Sequence, residues 1–151
     1  MRVISLFQMA QEHCATELYV DVIGLGAGPV DQLQEYQEAN DAPWEVSGVN
    51  VAEAAPEPDH GEEVARTLRD WLWLQGRDWV HDEAPSFAGL DSDTAQDLAG
   101  ELALPAYRQD SSGRTQVDSK DRLRERGARS PDLADALLLT FAPKPQPIFV
   151  G

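Results

Sequence analysis

The sequence predicts an α/β fold, and three observations lead to it. Two short runs rich in apolar and β-branched residues, Glu17 to Ile23 and Trp44 to Ala52, read as strands. Between them, a stretch with apolar residues at helical spacing reads as a helix. A glycine turn, Gly24-Leu25-Gly26-Ala27-Gly28, joins the first strand to that helix. Strands alternating with helices in this order build a sheet with helices packed on it.

Each element has its own local reason. Met1 to Cys14 reads as a helix, with Val3, Ile4 and Phe7 on one face and Ala10 and Cys14 extending it. Glu17 to Ile23 is almost continuously apolar, the pattern of a strand covered on both faces in a parallel sheet, and Asp21 interrupts it. Pro29 sits where a first helical residue is preorganised, opening a helix through about Ala39 with Val30, Leu33 and Tyr36 or Gln37 inward. Trp44 to Ala52 carries β-branched residues at 46, 49 and 51 and forms the second strand.

The second half is read in the same way. Ala54 to Asp59 is a Pro- and acid-rich connector, after which Asp59 and Glu62 have capping-box spacing and open a helix to about Leu74. Its apolar stripe is Val64, Leu68, Trp71 and Leu72. His81 to Ser92 reads as loop and Thr94 to Leu102 as helix. Ala106 to Gln109 and Thr115 to Asp118 flank Asp110-Ser111-Ser112-Gly113, the layout of a hairpin. A short charged helix, Lys120 to Arg126, ends at Gly127. Ser130 as N-cap and Pro131 as first residue then start a helix over Asp132 to Phe141, with Ala134, Leu137, Leu138 and Phe141 buried. One domain over 1–142 and a Pro-rich tail over 143–151 complete the expected organisation, the tail and the acidic connector being the candidates for mobility.

Composition narrows the function. Twelve Lys and Arg stand against 27 Asp and Glu, a formal charge of −15 over 151 residues. A free-standing nucleic-acid grip works by releasing counterions with basic side chains, so a DNA substrate here would need help from other protein. Cys14 is the lone cysteine and the three histidines, 13, 60 and 81, have no CxxC partner, which excludes an internal disulfide and the usual zinc frameworks. No apolar run approaches the roughly 20 residues of a membrane helix, and the first residues are too polar for a secretory signal. A cytoplasmic protein is expected.

Three carboxylates stand out. An acid inside an apolar strand is costly to bury without a partner, and Asp21 lies near the strand's end, where open α/β sheets place their ligands. The bland alternative is pairing with an arginine or capping of a local turn. Asp132 and Asp135 are three apart and project from one face of the last helix. Asp132 is also explained as an early-helix acid favoured by the helix dipole. Carboxylates from a strand end and a later helix suit Mg²⁺, which prefers oxygen ligands, and two such metals about 4 Å apart serve phosphodiester cleavage.

Other features are open to more than one reading. The glycine turn resembles the start of a dinucleotide-binding fold, although Pro29 occupies the place of the last glycine in GxGxxG. His81-Asp82-Glu83 offers metal-binding atoms or solvated surface. Trp71, Trp73 and Trp79 suit base stacking or a core. Arg122, Arg124, Arg126 and Arg129 suit phosphate contact or helical pairing with Asp121 and Glu125.

Four segments together resemble one family. YVDVIGLGAGPVDQL at 19–33, VSGVNVAEAA at 46–55, DSSGRTQVDSK leading to residue 120, and SKDRLRERGARSPDLADALLLTFA at 119–142 resemble, in order and spacing, the C-terminal nuclease domain of phage terminase large subunits. The resemblance implies an RNase H-like mixed sheet flanked by helices and a nuclease that cuts concatemeric phage DNA with Mg²⁺ or Mn²⁺. It implies Asp21 and Asp135 as metal-ligating carboxylates and Asp132 as an additional ligand. Gly24, Gly26 and Gly28 would shape the turn beside the site, and Lys120 with Arg126 would face DNA. The implied partners are double-stranded DNA, the packaging ATPase region, the terminase small subunit and the portal, in the host cytoplasm.

The departures set further expectations. Family members begin this domain with strands carrying another catalytic aspartate, and this sequence begins at what reads as the helix after them. The first strands are therefore expected to be missing, as in a fragment, a split protein or a decayed prophage gene. No GxxxxGK[ST] occurs, so the sequence holds no P-loop motor. The leading reading is a metal-dependent DNA endonuclease domain with reduced or absent activity alone. Its rivals are a non-catalytic packaging or interaction remnant and a Rossmann-like nucleotide-binding module.

Overall fold

The computed structural model describes residues 3–23, 28–59 and 63–144. Gly24 and Gly26 of the glycine turn, Glu62 of the expected capping box and the tail over 145–151 lie outside them, as do the side chains of residues 3–5 and 7. The chain divides into two compact units, one of residues 1–51 with 142–151 and one of residues 52–141.

The first unit holds α1 (Val3–Glu12), β1 (Glu17–Asp21), α2 (Gly28–Asn40) and β2 (Glu45–Val49). β1 and β2 run parallel, with Glu17 opposite Glu45 and Asp21 opposite Val49. A parallel pair needs a crossover, and α2 supplies it. Ala10, Leu33 and Trp44 form the buried centre, with Leu18, Val20 and Val46 of the strands packed against it. Tyr36 stacks on Trp44 at 6.5 Å. At Gly48 a Cβ would lie 3.0 Å from Val22 and 3.4 Å from Val30, so glycine lets the strand lie close under α2. β1 is shorter and less covered than expected. It ends at Asp21, its residues are at most half-buried, and Ile23 is exposed, because β2 is its sole strand partner among the described residues.

The second unit holds α3 (Leu68–Glu83), α4 (Ser92–Leu102), β3 (Tyr107–Gln109), β4 (Thr115–Val117), α5 (Lys120–Glu125) and α6 (Asp132–Leu139). α3 packs on α6 and β4, and α4 packs on α6. Leu68, Leu72, Trp73, Leu98, Val117, Leu123, Ala134 and Leu138 are buried. The antiparallel hairpin β3–β4 forms as predicted, and Gly113 takes a φ of +76° at its turn. Gly127 does the same after α5, which Ser119 caps by accepting from the Arg122 N–H.

α3 differs most from expectation. It starts at Leu68 behind a capping box made by Thr67 and Asp70, and runs to Glu83, where Ala84 turns left-handed just before Pro85. Residues 64–66 are extended because they pair with β4: the Thr115 N–H donates to the Val64 carbonyl at 2.7 Å, and the Arg66 N–H to the Thr115 carbonyl at 3.2 Å. Val64 is consequently exposed, Trp71 is half-buried, and Trp73 takes the core position instead. His81 belongs to the helix rather than a loop.

Ser130 does not cap α6. Pro131 is the N-cap, and the Ser130 hydroxyl donates to Asp132 Oδ1 instead. The helix closes at Leu139, short of Phe141. In place of one mixed sheet, the described residues contain two two-stranded sheets, parallel β1–β2 and antiparallel β3–β4. The extended pairing of residues 64–66 beside β4 occupies backbone groups that a further strand would use. Among the described residues no helix is long and apolar enough to cross a membrane.

Candidate functional site

The site is built around Asp135, in the first turn of α6. Its side chain is 21% exposed and its two oxygens face different partners. Oδ1 accepts from Trp73 Nε1 at 3.2 Å, and the Arg69 guanidinium approaches it at 3.6 Å. Oδ2 lies 2.9 Å from Lys120 Nζ. That contact is an ion pair without hydrogen-bond alignment, so Oδ2 remains a buried oxygen with no hydrogen-bond partner. Arg69 Nε and its terminal nitrogen nearest Asp135 are likewise buried without one.

Three elements converge here because each is fixed elsewhere. α6 is tied to α4 by Glu101, whose carboxylate accepts from the Ala134 N–H at 2.9 Å and so satisfies a free donor at the helix start. α3 is tied to the hairpin by Asp70, which accepts from the Val117 N–H at 2.8 Å. Lys120 is the first residue of α5, directly after the Ser119 cap. Its Nζ also lies 3.8 Å from Asp132 Oδ1, so one ammonium serves both carboxylates of α6. Asp132 is far more open, at 79% side-chain exposure.

Asp118, just before the cap, organises a second cluster. Its carboxylate is 7% exposed and holds Arg108 at 3.3 Å and Arg126 at 2.8 Å, while accepting from the Ala106 N–H at 3.2 Å. A cleft of about 400 Å³ lined by Arg108, Arg122 and Arg126 opens beside it. Arg124 pairs with Asp121 one turn away, the ordinary helical arrangement, whereas Arg126 pairs with Asp118 and donates to the Leu104 carbonyl. The stretch from Arg108 to Arg129 holds seven of the twelve basic residues against four acids. Positive charge is thus concentrated beside Asp135 in an otherwise acidic chain.

Asp21 is the last residue of β1, in the first unit, and its Oδ1 accepts from the Ile23 N–H at 2.9 Å. It makes the local turn contact that its alternative reading requires. Asp132, Asp135 and Lys120 are brought together; Arg126 belongs to the Asp118 cluster. Among the described residues no group of three or more His, Cys, Asp or Glu side chains is placed to hold a metal ion. The Asp132/Asp135 pair nonetheless offers the carboxylate oxygens a divalent cation prefers, with a positive charge already beside both.

The remaining candidates fall elsewhere. His81 and Asp82 form an exposed pair at 2.6 Å, and this contact holds the imidazole above its usual pKa. Trp79, half-buried, packs edge-on against Phe87 and Phe141. Sequence reasoning missed Arg69 and the role of Trp73. Their i,i+4 spacing was a usable signal, since a buried indole N–H requires an acceptor and an arginine between Leu68 and Leu72 requires an anion.

No protein family and no curated protein matches the chain in sequence. Solved structures do match in fold. The nuclease domain of the large terminase subunit gp2 of bacterial virus Sf6 superposes with a TM-score of 0.71 and 18% identity, over 91% of this chain and 70% of that one. A lysine-to-alanine mutant of that domain with manganese gives 0.74 at 18% identity, over 90% and 70%. The same mutant with calcium gives 0.74 at 18% identity, over 90% and 69%. The chain has the fold of a terminase nuclease domain.

Proposed function

We propose that this chain is a metal-dependent DNA endonuclease domain of a phage DNA-packaging terminase large subunit, cutting concatemeric double-stranded DNA by phosphodiester hydrolysis. The observation that carries the reading is the Lys120 ammonium lying 2.9 Å from Asp135 Oδ2 and 3.8 Å from Asp132 Oδ1, in a chain with this fold. Two carboxylates that share one cation are suited to a divalent ion. We assign Asp21, Asp132 and Asp135 as its ligands and Mg²⁺ or Mn²⁺ as the metal, two ions in the full site.

When bound, the metal supplies Lewis-acid activation of water and neutralises charge on the leaving oxygen. The chain's own residues do the rest. Trp73 donates to Asp135 Oδ1 with the Arg69 guanidinium beside it, and Oδ2 is the oxygen that faces Lys120. Lys120 carries positive charge at the same spot, and Arg126 with Arg122 extends it along α5 toward the phosphate backbone. Those contacts work by counterion release, which sets the affinity of a chain whose net charge is −15. The packaging ATPase, small subunit and portal are the proposed partners, and the host cytoplasm the proposed location.

The test is cleavage of supercoiled plasmid by the purified chain in Mn²⁺, beside an EDTA blank and the Asp21→Asn and Asp135→Asn variants. Nicking or linearisation that disappears in EDTA and in both variants is the expected result. Cleavage that survives in Asp135→Asn would sink the assignment, and no cleavage by a folded sample would sink the activity for this chain alone.

A further inference from the structure

We infer that Trp73 and Arg69 are positioning residues that fix the Asp135 carboxylate for its cation, an inference that rests on Asp135 being a metal ligand. Four contacts carry it. Trp73 Nε1 donates to Asp135 Oδ1 at 3.2 Å. The Arg69 guanidinium sits 3.6 Å from the same oxygen and stacks 5.6 Å over the Trp73 ring. Arg69 also donates to the Asp118 carbonyl at 3.1 Å, which anchors its fork to the β4–α5 junction.

The arrangement divides the work between the two oxygens. Trp73 donates to Oδ1 and Arg69 approaches the same oxygen, while Oδ2 is left to Lys120 and to any ion that replaces it. A carboxylate held by one oxygen has its rotamer set before the ion arrives, and such outer partners commonly govern a site's affinity. Trp73 is suited to this because its side chain is buried in the core, at 2% exposure. Arg69 has capacity in reserve, since two of its nitrogens are buried and without hydrogen bonds. A nitrogen at 3.6 Å that closes on Oδ1 would satisfy one of them. A core tryptophan with no such role would also be buried, but its N–H would not need to meet an acidic side chain 62 residues away.

The test measures Mn²⁺ binding by titration calorimetry on the whole chain, in wild type, Asp135→Asn, Trp73→Phe and Arg69→Gln. Trp73→Phe keeps the ring and removes only the donor. Loss of binding in Asp135→Asn with binding about 10-fold weaker in Trp73→Phe and in Arg69→Gln is the expected result. In the Asp135→Asn background, adding Trp73→Phe should change nothing further. Circular dichroism melts identify any variant that fails to fold, and Arg69→Gln carries the test if Trp73→Phe does. Wild-type affinity in both donor variants, with Asp135→Asn still abolishing binding, overturns this inference and leaves the metal reading standing. Undiminished binding in Asp135→Asn, or none in wild type, overturns the metal reading and this inference with it.

Discussion

Gly76 offers the sharpest check on how α3 and α6 fit together. A Cβ at this position would fall 2.0 Å from Leu138 Cδ2 and 3.5 Å from Leu138 Cγ, where ordinary carbon contacts are about 3.5–4.0 Å. Alanine therefore gains about 1 kcal/mol of helix propensity and meets an overpacking cost of about 1–3 kcal/mol. Leu138, 2% exposed, can answer in two ways. It can push α6 away, or it can swing into the adjoining apolar cavity of about 390 Å³ that it and Gly76 both line. A double-mutant cycle separates these. Leu138→Ala alone should cost about 2–5 kcal/mol. In the Gly76→Ala/Leu138→Ala protein the new methyl enters space that the leucine has left, so the double variant should be more stable than the sum of the singles by about 1–3 kcal/mol. Urea unfolding at neutral pH measures all four proteins. Additivity within about 0.5 kcal/mol would refute the reasoning, because it would mean that Leu138 yields at no cost. Trp73 precedes Gly76 by three residues and Asp135 precedes Leu138 by three, so Gly76→Ala should also weaken Mn²⁺ binding, and the double variant should restore it.

Three further outcomes are expected. The Thr115 hydroxyl donates to Glu63 and, with Arg77 3.0 Å away, holds that carboxyl below its usual pKa; Thr115→Val should cost about 1 kcal/mol at pH 7. A depressed carboxylate stabilises above its unfolded pKa and loses that as pH falls through its folded pKa, so the urea midpoints of wild type and Thr115→Val should converge in acid. A constant gap down to pH 3 would count against it. Asp118→Asn leaves Arg108 and Arg126 without their anion, but both are at least a third exposed, so solvent screening holds the cost to about 1 kcal/mol, read as a fall in calorimetric Tm; an unchanged Tm would show the charges to be fully screened. Lys120→Met removes an ammonium that is 40% exposed, so solvent screening reduces its effect to roughly 1 kcal/mol, or about fivefold tighter Mn²⁺ binding. Unchanged affinity would mean that Lys120 does not compete for Asp135.

The order and type of the elements were legible in the residues themselves. Helix periodicity placed α1, α2, α4 and α6, glycines at 113 and 127 marked the turn and the helix end, and apolar runs placed β1 and β2. These signals act over a few residues, so local sequence contains all of them. Asp21 at the end of β1 and Asp135 beside the buried stripe of α6 were legible for the same reason. The start of α3 was not, because Asp59 with Glu62 and Thr67 with Asp70 both have capping spacing. Pairing of residues 64–66 with Thr115, about 50 positions on, decides between them.

Sequence alone thus determined the α/β class, the carboxylates worth testing and the acidic charge, all of which follow from residue type and spacing along one chain. Tertiary structure decided which oxygen of Asp135 meets Trp73 and which meets Lys120. Trp73 and Asp135 lie 62 residues apart, Arg69 and Asp118 lie 49 apart, and Lys120 arrives from a third element. Hydrogen bonds and ion pairs act over about 3–4 Å whatever the separation along the chain, so only folding could bring those partners to one carboxylate.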